Sequence, residues 1–275
     1  MLNALFGLSY GGIIASAYII IKLTGAKGGV NVACVSALVI FLIHLLIWPK
    51  LTFQAFGNKK NLLRGITFGL TQIFLFKAQS VAPTSTMLIA SIAGALAGSW
   101  FGRLILKEHP SWNEVIAMII AVGGSLIGTH NFLNASIWAA LGGLVQGLSG
   151  VIARSLMRGN VSRRGSVGTG FFMLSLTTFI VLLINKDLSS ISDLKWWGIL
   201  AAGGAAVISQ YAFFQLYKLY STQKATVFTL LRAPWGVAIE SVFLNSGVTA
   251  LKVLSSIIVF AGAIIAIPKP KKNLS

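Results

Sequence analysis

The sequence predicts an all-α integral membrane protein of ten transmembrane helices, arranged as two inverted five-helix repeats. Three observations lead there: a composition too apolar to be wetted, apolar runs of membrane-crossing length, and an internal repeat. The 275 residues are 56% hydrophobic and 10% charged, with a mean hydropathy of +0.84. A soluble domain carries about 25% charged residues, because it must cover its core with a wet surface. This chain has too few. Val115–Gly128 and Val253–Ile267 are unbroken examples of its apolar runs, and several runs reach the roughly 20 residues that cross a bilayer as a helix.

The spans follow in order, each closed by a basic, aromatic or turn-forming cluster. The first, 2–22, has no basic stretch or clear cleavage site around it, so it reads as a membrane helix and not as a cleaved signal. Spans 30–48 and 62–80 are separated by Lys50, Lys59 and Lys60. Span 84–106 begins after Pro83 and ends at Lys107, and span 112–129 opens on Trp112. Span 136–157 stops before Arg158, and 168–184 lies between Arg163-Arg164 and Lys186. Span 196–217 opens on Trp196-Trp197, span 225–244 follows Lys224, and span 250–267 ends before Lys269. The connections leave no room for a soluble domain. Trp48 and Trp138 also fall near span ends, where amphipathic rings sit at the membrane interface.

The net charge is +17, from 22 Lys and Arg against 5 Asp and Glu. In a soluble protein this would suggest nucleic acid; here the basic residues lie almost entirely in short connections, so no nucleic-acid partner is expected. Lys22, Lys27, Lys77, Lys186, Lys195 and Lys252 fall on one side. The more numerous remainder, including Arg64, Arg154, Arg158, Arg163 and the C-terminal Lys269, Lys271 and Lys272 but not Arg232, which lies inside a span, falls on the other. The positive-inside rule then puts both termini in the cytoplasm. Cys34 is the single cysteine, which excludes a disulfide framework, and His44, His109 and His130 lack ligand spacing. Neither a metal nor a cofactor is expected.

A displacement of 138 positions lays Ser111–Ile127 on Thr249–Ile265, Thr71-Gln72 on Ser209-Gln210, and Phe76 on Phe214. A slightly smaller one pairs Gly11 with Gly143, Ile20 with Ile152, and Lys22 with Arg154. The repeats are 1–130 and 131–275. Five spans each is an odd number, so the second repeat enters the membrane from the opposite side, a plan common among secondary transporters.

The stretch Phe76-Lys77-Ala78-Gln79-Ser80-Val81-Ala82-Pro83-Thr84-Ser85, the fourth span through Leu106-Lys107-Glu108, and Ala121-Val122-Gly123-Gly124 resemble the EamA-type branch of the drug/metabolite transporter superfamily. The second half departs from that pattern, with Asn245-Ser246-Gly247 where a second terminal Glu often stands. It also places Arg232-Ala233-Pro234-Trp235 in the ninth span. The resemblance implies a central cavity lined by spans 1, 3, 4, 6, 8 and 9, alternating access without ATP hydrolysis, and residence in a bacterial cytoplasmic (inner) membrane. It implies a gating or topological role for Glu108.

Arg232 lies deep in its span. A charge there is costly unless paired or wetted, so it either clamps a carboxylate or phosphate or snorkels toward Lys224. Pro234 cannot donate to the ladder and should free the carbonyl of Leu230, giving a bend useful for gating or simply shape. Glu240, the acid well inside a span, would carry a coupling proton, attract a cation, or pair with a base such as Lys77, which otherwise simply reaches the outer interface. Gln72 and Gln210 occupy equivalent mid-span positions and either face one cavity or hold helices together. Gln146, Ser9 and Tyr10 are weaker polar candidates, and Trp100, Trp235 and Tyr211 are deep aromatics able to pack against a substrate. Gly94, Gly98 and Gly102, with Gly7-Gly11 and Gly143-Gly147, recur every four residues and clear helix faces for close packing.

The expected function is secondary transport of a small polar or zwitterionic, amino-acid-like metabolite, with a proton as a possible coupling ion and a monomer sufficing. The alternative is a cation, amine or drug carrier using Glu240 and the aromatics. No clustered catalytic constellation supports an enzyme, and no filter-like motif supports a channel.

Overall fold

A computed structural model describes residues 2–24, 29–129, 133–187, 191, 194–243 and 249–265. Lys27, His130, Asn245, Ser246, Gly247, Lys269, Lys271 and Lys272 lie outside the described residues. The helices are α1 (Leu2–Thr24), α2 (Val30–Ile47), α3 (Pro49–Phe56), α4 (Lys59–Val81), α5 (Thr84–Leu106) and α6 (Trp112–Thr129). They continue with α7 (Leu133–Arg158), α8 (Arg163–Ile184), α9 (Trp196–Leu219), α10 (Thr222–Leu230), α11 (Arg232–Phe243) and α12 (Ala250–Ile265).

Two departures from the ten expected spans have local causes. The connection after Trp48 coils into α3, with Pro49 at the first helical position, where its fixed φ suits a helix and its missing N–H costs nothing. Thr52 and Ala55 are buried on one side of it, and α3 packs on α8. Eight residues are too few to register as a span. The ninth span breaks at Leu231 into α10 and α11. Pro234 follows the break by three residues and has no N–H for the Leu230 carbonyl.

Helix starts follow side-chain caps. Asn58 accepts from the N–H groups of Lys60 and Asn61, Ser162 from Gly165, and Ser221 from Lys224. Five helices, α2, α5, α7, α8 and α9, contain stretches long and apolar enough to cross a bilayer, and α1, α6 and α12 contain shorter apolar stretches. Leu46, Leu104, Ile119, Ile184 and Val242 point outward, while Arg64, Arg232 and Glu240 are buried. This is the inside-out arrangement of a multi-pass membrane protein.

Without water to drive helices together, association in lipid rests on close packing. Gly94 and Gly98 of α5 meet Gly143 and Gly147 of α7 so closely that a Cβ on Gly94 would overlap the Ala140 carbonyl. A Cβ on Gly143 would likewise overlap the Ser91 carbonyl. Gly11 of α1 abuts the Leu231 backbone at the break. The closest neighbours are α5 with α7, α4 with α7 and α8, α6 with α12, α2 with α8, and α1 with α9 and α11.

Candidate substrate cavity

The residues of six helices that face one another leave a central cavity with an empty volume of about 750 Å³, its mouth included. Tyr10 and Tyr18 of α1, Ser36 of α2, Arg64, Phe68 and Gln72 of α4, Gln146 and Ser149 of α7, Phe171 of α8, and Ser209, Gln210 and Phe213 of α9 line it. The second and seventh spans (α2 and α8) therefore contribute walls, and the fourth and ninth spans (α5, α10 and α11) do not. This corrects the expected lining. The small-residue faces of α5 against α7, and of α1 against the Leu231 break, bring backbones into contact and leave no space for a ligand there.

Arg64 is the residue the sequence reading misplaced. It was assigned to a cytoplasmic connection, yet it is the sixth residue of α4 and 1% exposed. Its Nη2 donates to Gln210 Oε1, while Nε and Nη1 have no hydrogen-bond partner. The guanidinium lies 4.9 Å from the Phe68 ring centroid, 5.6 Å from Phe213 and 4.6 Å from Phe214. Such ring contacts are worth about 0.5–2 kcal/mol each, against a cost of several kcal/mol for burying an unpaired ion. A usable signal was present in the sequence: Arg64, Phe68, Thr71, Gln72 and Phe76 recur at helical spacing as a mixed polar and aromatic stripe.

Arg232 is wholly buried but stands one step behind the cavity wall. Its Nη1 donates to Gln146 Oε1 and its Nη2 to Ser91 Oγ at 2.6 Å, and Nε is unmatched. It neither snorkels nor lines the cavity; it holds Gln146, which does. Tyr18 donates to Gln72 Oε1 at 2.8 Å. Gln72, Gln146, Gln210 and Tyr10 are thus brought together as cavity residues.

The deep aromatics are not. Trp100 and Trp235 are 37% and 42% exposed on the outer surface, and Trp235 covers Gly12. Tyr211 pairs through its hydroxyl with His44 Nε2 at 3.2 Å. Lys77 is exposed and does not reach Glu240.

Residues 133–267 match the EamA-like transporter family. That family belongs to the drug/metabolite transporter superfamily. Members of the EamA-like family are transporters. A solved structure titled only "Crystal structure of protein" superposes with a TM-score of 0.71 at 15% identity, covering 96% of each chain, which speaks to the fold alone. No curated protein matches the sequence.

At each end of the fourth span a carboxylate caps a helix of the opposite half. Glu240 accepts from the N–H groups of Thr84 at 2.9 Å and Ser85 at 2.7 Å, at the start of α5, with Lys22 Nζ 3.9 Å away. Glu108, just past the end of α5, accepts from the Thr222 N–H at 2.8 Å, at the start of α10. Arg154 and Arg158 flank it at 3.1 and 2.6 Å. Both arrangements put an anion on the positive end of a helix dipole. Glu108 and Glu240 are 132 positions apart, as are Lys22 and Arg154, and Thr84 and Thr222 are 138 apart. Burial disfavours the charge on Glu108, but the Thr222 and Arg154 hydrogen bonds outweigh it and hold its pKa below the ordinary value.

Proposed function

We propose that the chain is a secondary transporter of a small polar or zwitterionic metabolite, amino-acid-like in size, across the cytoplasmic membrane by alternating access. The observation that carries this reading is the cavity, apolar walls set with polar side chains, at the seam between residues 1–130 and 131–275, with α1, α2 and α4 on one side and α7, α8 and α9 on the other. The neighbour relations support two inverted five-helix repeats. α1 packs on α9 as α7 packs on α4, and α11 on α1 as α5 on α7, while α2 meets α8 and α6 meets α12.

In this reading the two carboxylate caps are latches. Glu108 ties the cytoplasmic ends of the fourth, sixth and ninth spans, and Glu240 ties the outer ends of the first, fourth and ninth. The break at Leu231, backed by Gly11, gives the ninth span a joint about which its halves turn. Both termini are cytoplasmic by the bias of basic residues, and a single chain supplies both cavity walls. A proton gradient or substrate exchange would drive the cycle. The cation-carrier alternative has less support, because both oxygens of Glu240 are engaged by α5.

Purified protein in proteoliposomes tests the proposal. Saturable uptake of a radiolabelled metabolite, accelerated by unlabelled metabolite trapped inside, is the expected result. Flux that rises linearly with concentration and ignores the trapped solute would sink it.

A further inference from the structure

We infer that the substrate of this cavity is an organic anion, a carboxylate or phosphate on a planar or apolar body, received by Arg64. The inference rests on reading the cavity as a transporter's substrate site and adds its chemical class.

Two buried cations lack a counter-ion. Among the described residues no carboxylate lies within ion-pair distance of Arg64 or Arg232, and both described acids of the transmembrane latches are committed elsewhere. Three guanidinium nitrogens, Nε and Nη1 of Arg64 and Nε of Arg232, carry N–H groups with no acceptor. Arg64 is aimed at the cavity and Arg232 stands behind Gln146 in its wall.

The amides give the same sign independently. Arginine can only donate, so the Gln210 and Gln146 side chains must turn their oxygens toward Arg64 and Arg232. Their NH2 ends are left without a protein acceptor among the described residues. Tyr18 takes the oxygen of Gln72 in the same way. The lining therefore offers donors in excess and, among the described residues, no carboxylate to receive an ammonium group. A ligand that matches it brings negative charge and acceptor oxygens. The rings of Tyr10, Phe68, Phe171 and Phe213 offer flat apolar surface for the remainder of the molecule. A cationic amine would face a guanidinium with no compensating acid.

Binding and transport are measured separately to test this. Wild type, Arg64→Met and Arg64→Lys are purified in a neutral detergent. Thermal midpoints are followed with saturating benzoate, phenyl phosphate, phenylalanine or choline. The expected result is that benzoate or phenyl phosphate raises the wild-type midpoint and that choline does not. Arg64→Met should be more heat-stable than wild type without ligand, because it removes an uncompensated buried charge. It should bind the anion at least about tenfold more weakly, the loss expected for one charge-assisted hydrogen bond. Arg64→Lys, which keeps the charge, should retain part of the response even if the Met variant fails to fold.

If neither anion shifts the wild-type midpoint, or if choline raises it as much as benzoate or phenyl phosphate does, the anion class is overturned. Stabilisation by added phosphatidylglycerol alone would assign the cations to a lipid headgroup and also overturn it. Anion binding without uptake into proteoliposomes would leave the substrate class standing and reject transport. Arg64-independent choline uptake would do the reverse.

Discussion

Arg232 holds Gln146 and Ser91 through two of its nitrogens, and so sets the position of a cavity amide without touching the cavity itself. Replacing it with Met frees the Gln146 oxygen and lets the amide rotate. We predict that Arg232→Met weakens substrate affinity about tenfold, the size of one charge-assisted hydrogen bond, and that Gln146→Ala in the same background adds little further. A double-mutant cycle on ligand-induced stabilisation checks this; additive losses would show that the two residues act separately. Glu108 makes a prediction about pH. Its pKa is depressed in the folded protein, so its contribution is fully present above the unfolded carboxylate value, about 4.3, and is lost as pH falls through the lower folded value. Thermal stability contributed by this latch should be flat from neutral pH down to about pH 5. It should decline at lower pH, and Glu108→Gln should remove that acid-dependent part. A wild type and variant that decline in parallel would refute the assignment.

Helices meet here through glycine faces, and the glycines are not equivalent. Gly143 has the Ser91 carbonyl and the Ala95 nitrogen where a side chain would go, whereas Gly123 on α6 has nothing within 4 Å. Gly143→Val forces α5 and α7 apart and should cost about 1–3 kcal/mol or more through overpacking. Gly123→Ala adds a methyl into open space and should be neutral or stabilising by up to about 1 kcal/mol, from helix propensity. Thermal midpoints in detergent separate the two; equal losses would show that the α5–α7 contact is not the constraint. Glycine spacing in the sequence marked the Gly94–Gly98 and Gly143–Gly147 faces. It could not say that they meet each other, because that depends on which helices become neighbours.

For the whole molecule, the proposed alternating-access reading makes the two carboxylate caps latches that set a balance between states open to either side. Glu108→Gln loosens the cytoplasmic end and Glu240→Gln the outer end, so they should shift the population in opposite directions. A cysteine at the cavity residue Ala206, in a Cys34→Ala background, reports this by its reactivity with an impermeant thiol reagent. Glu108→Gln should raise labelling from the cytoplasmic side and Glu240→Gln from the outside. Movement in the same direction would reject the latch reading.

The sequence by itself determined that the chain lives in a membrane, roughly where its helices run, and that Gln72, Gln146, Gln210 and Tyr10 are polar groups needing partners inside it. These follow from local quantities, namely apolar run length, the placement of basic residues and the cost of polar atoms in lipid. Only the tertiary structure decided which polar groups converge. It drew Arg64 from an assumed connection into the cavity, where Gln210 receives it. It set Arg232 behind Gln146, turned Trp100 and Trp235 outward, and gave Glu240 to the start of α5 and not to Lys77. The physical reason is that an arginine near a helix start, or a glutamate near its end, is satisfied by whichever residue a distant helix brings alongside. Lys22 and Glu240, like Gln210 and Arg64, become partners only once the two halves close on each other.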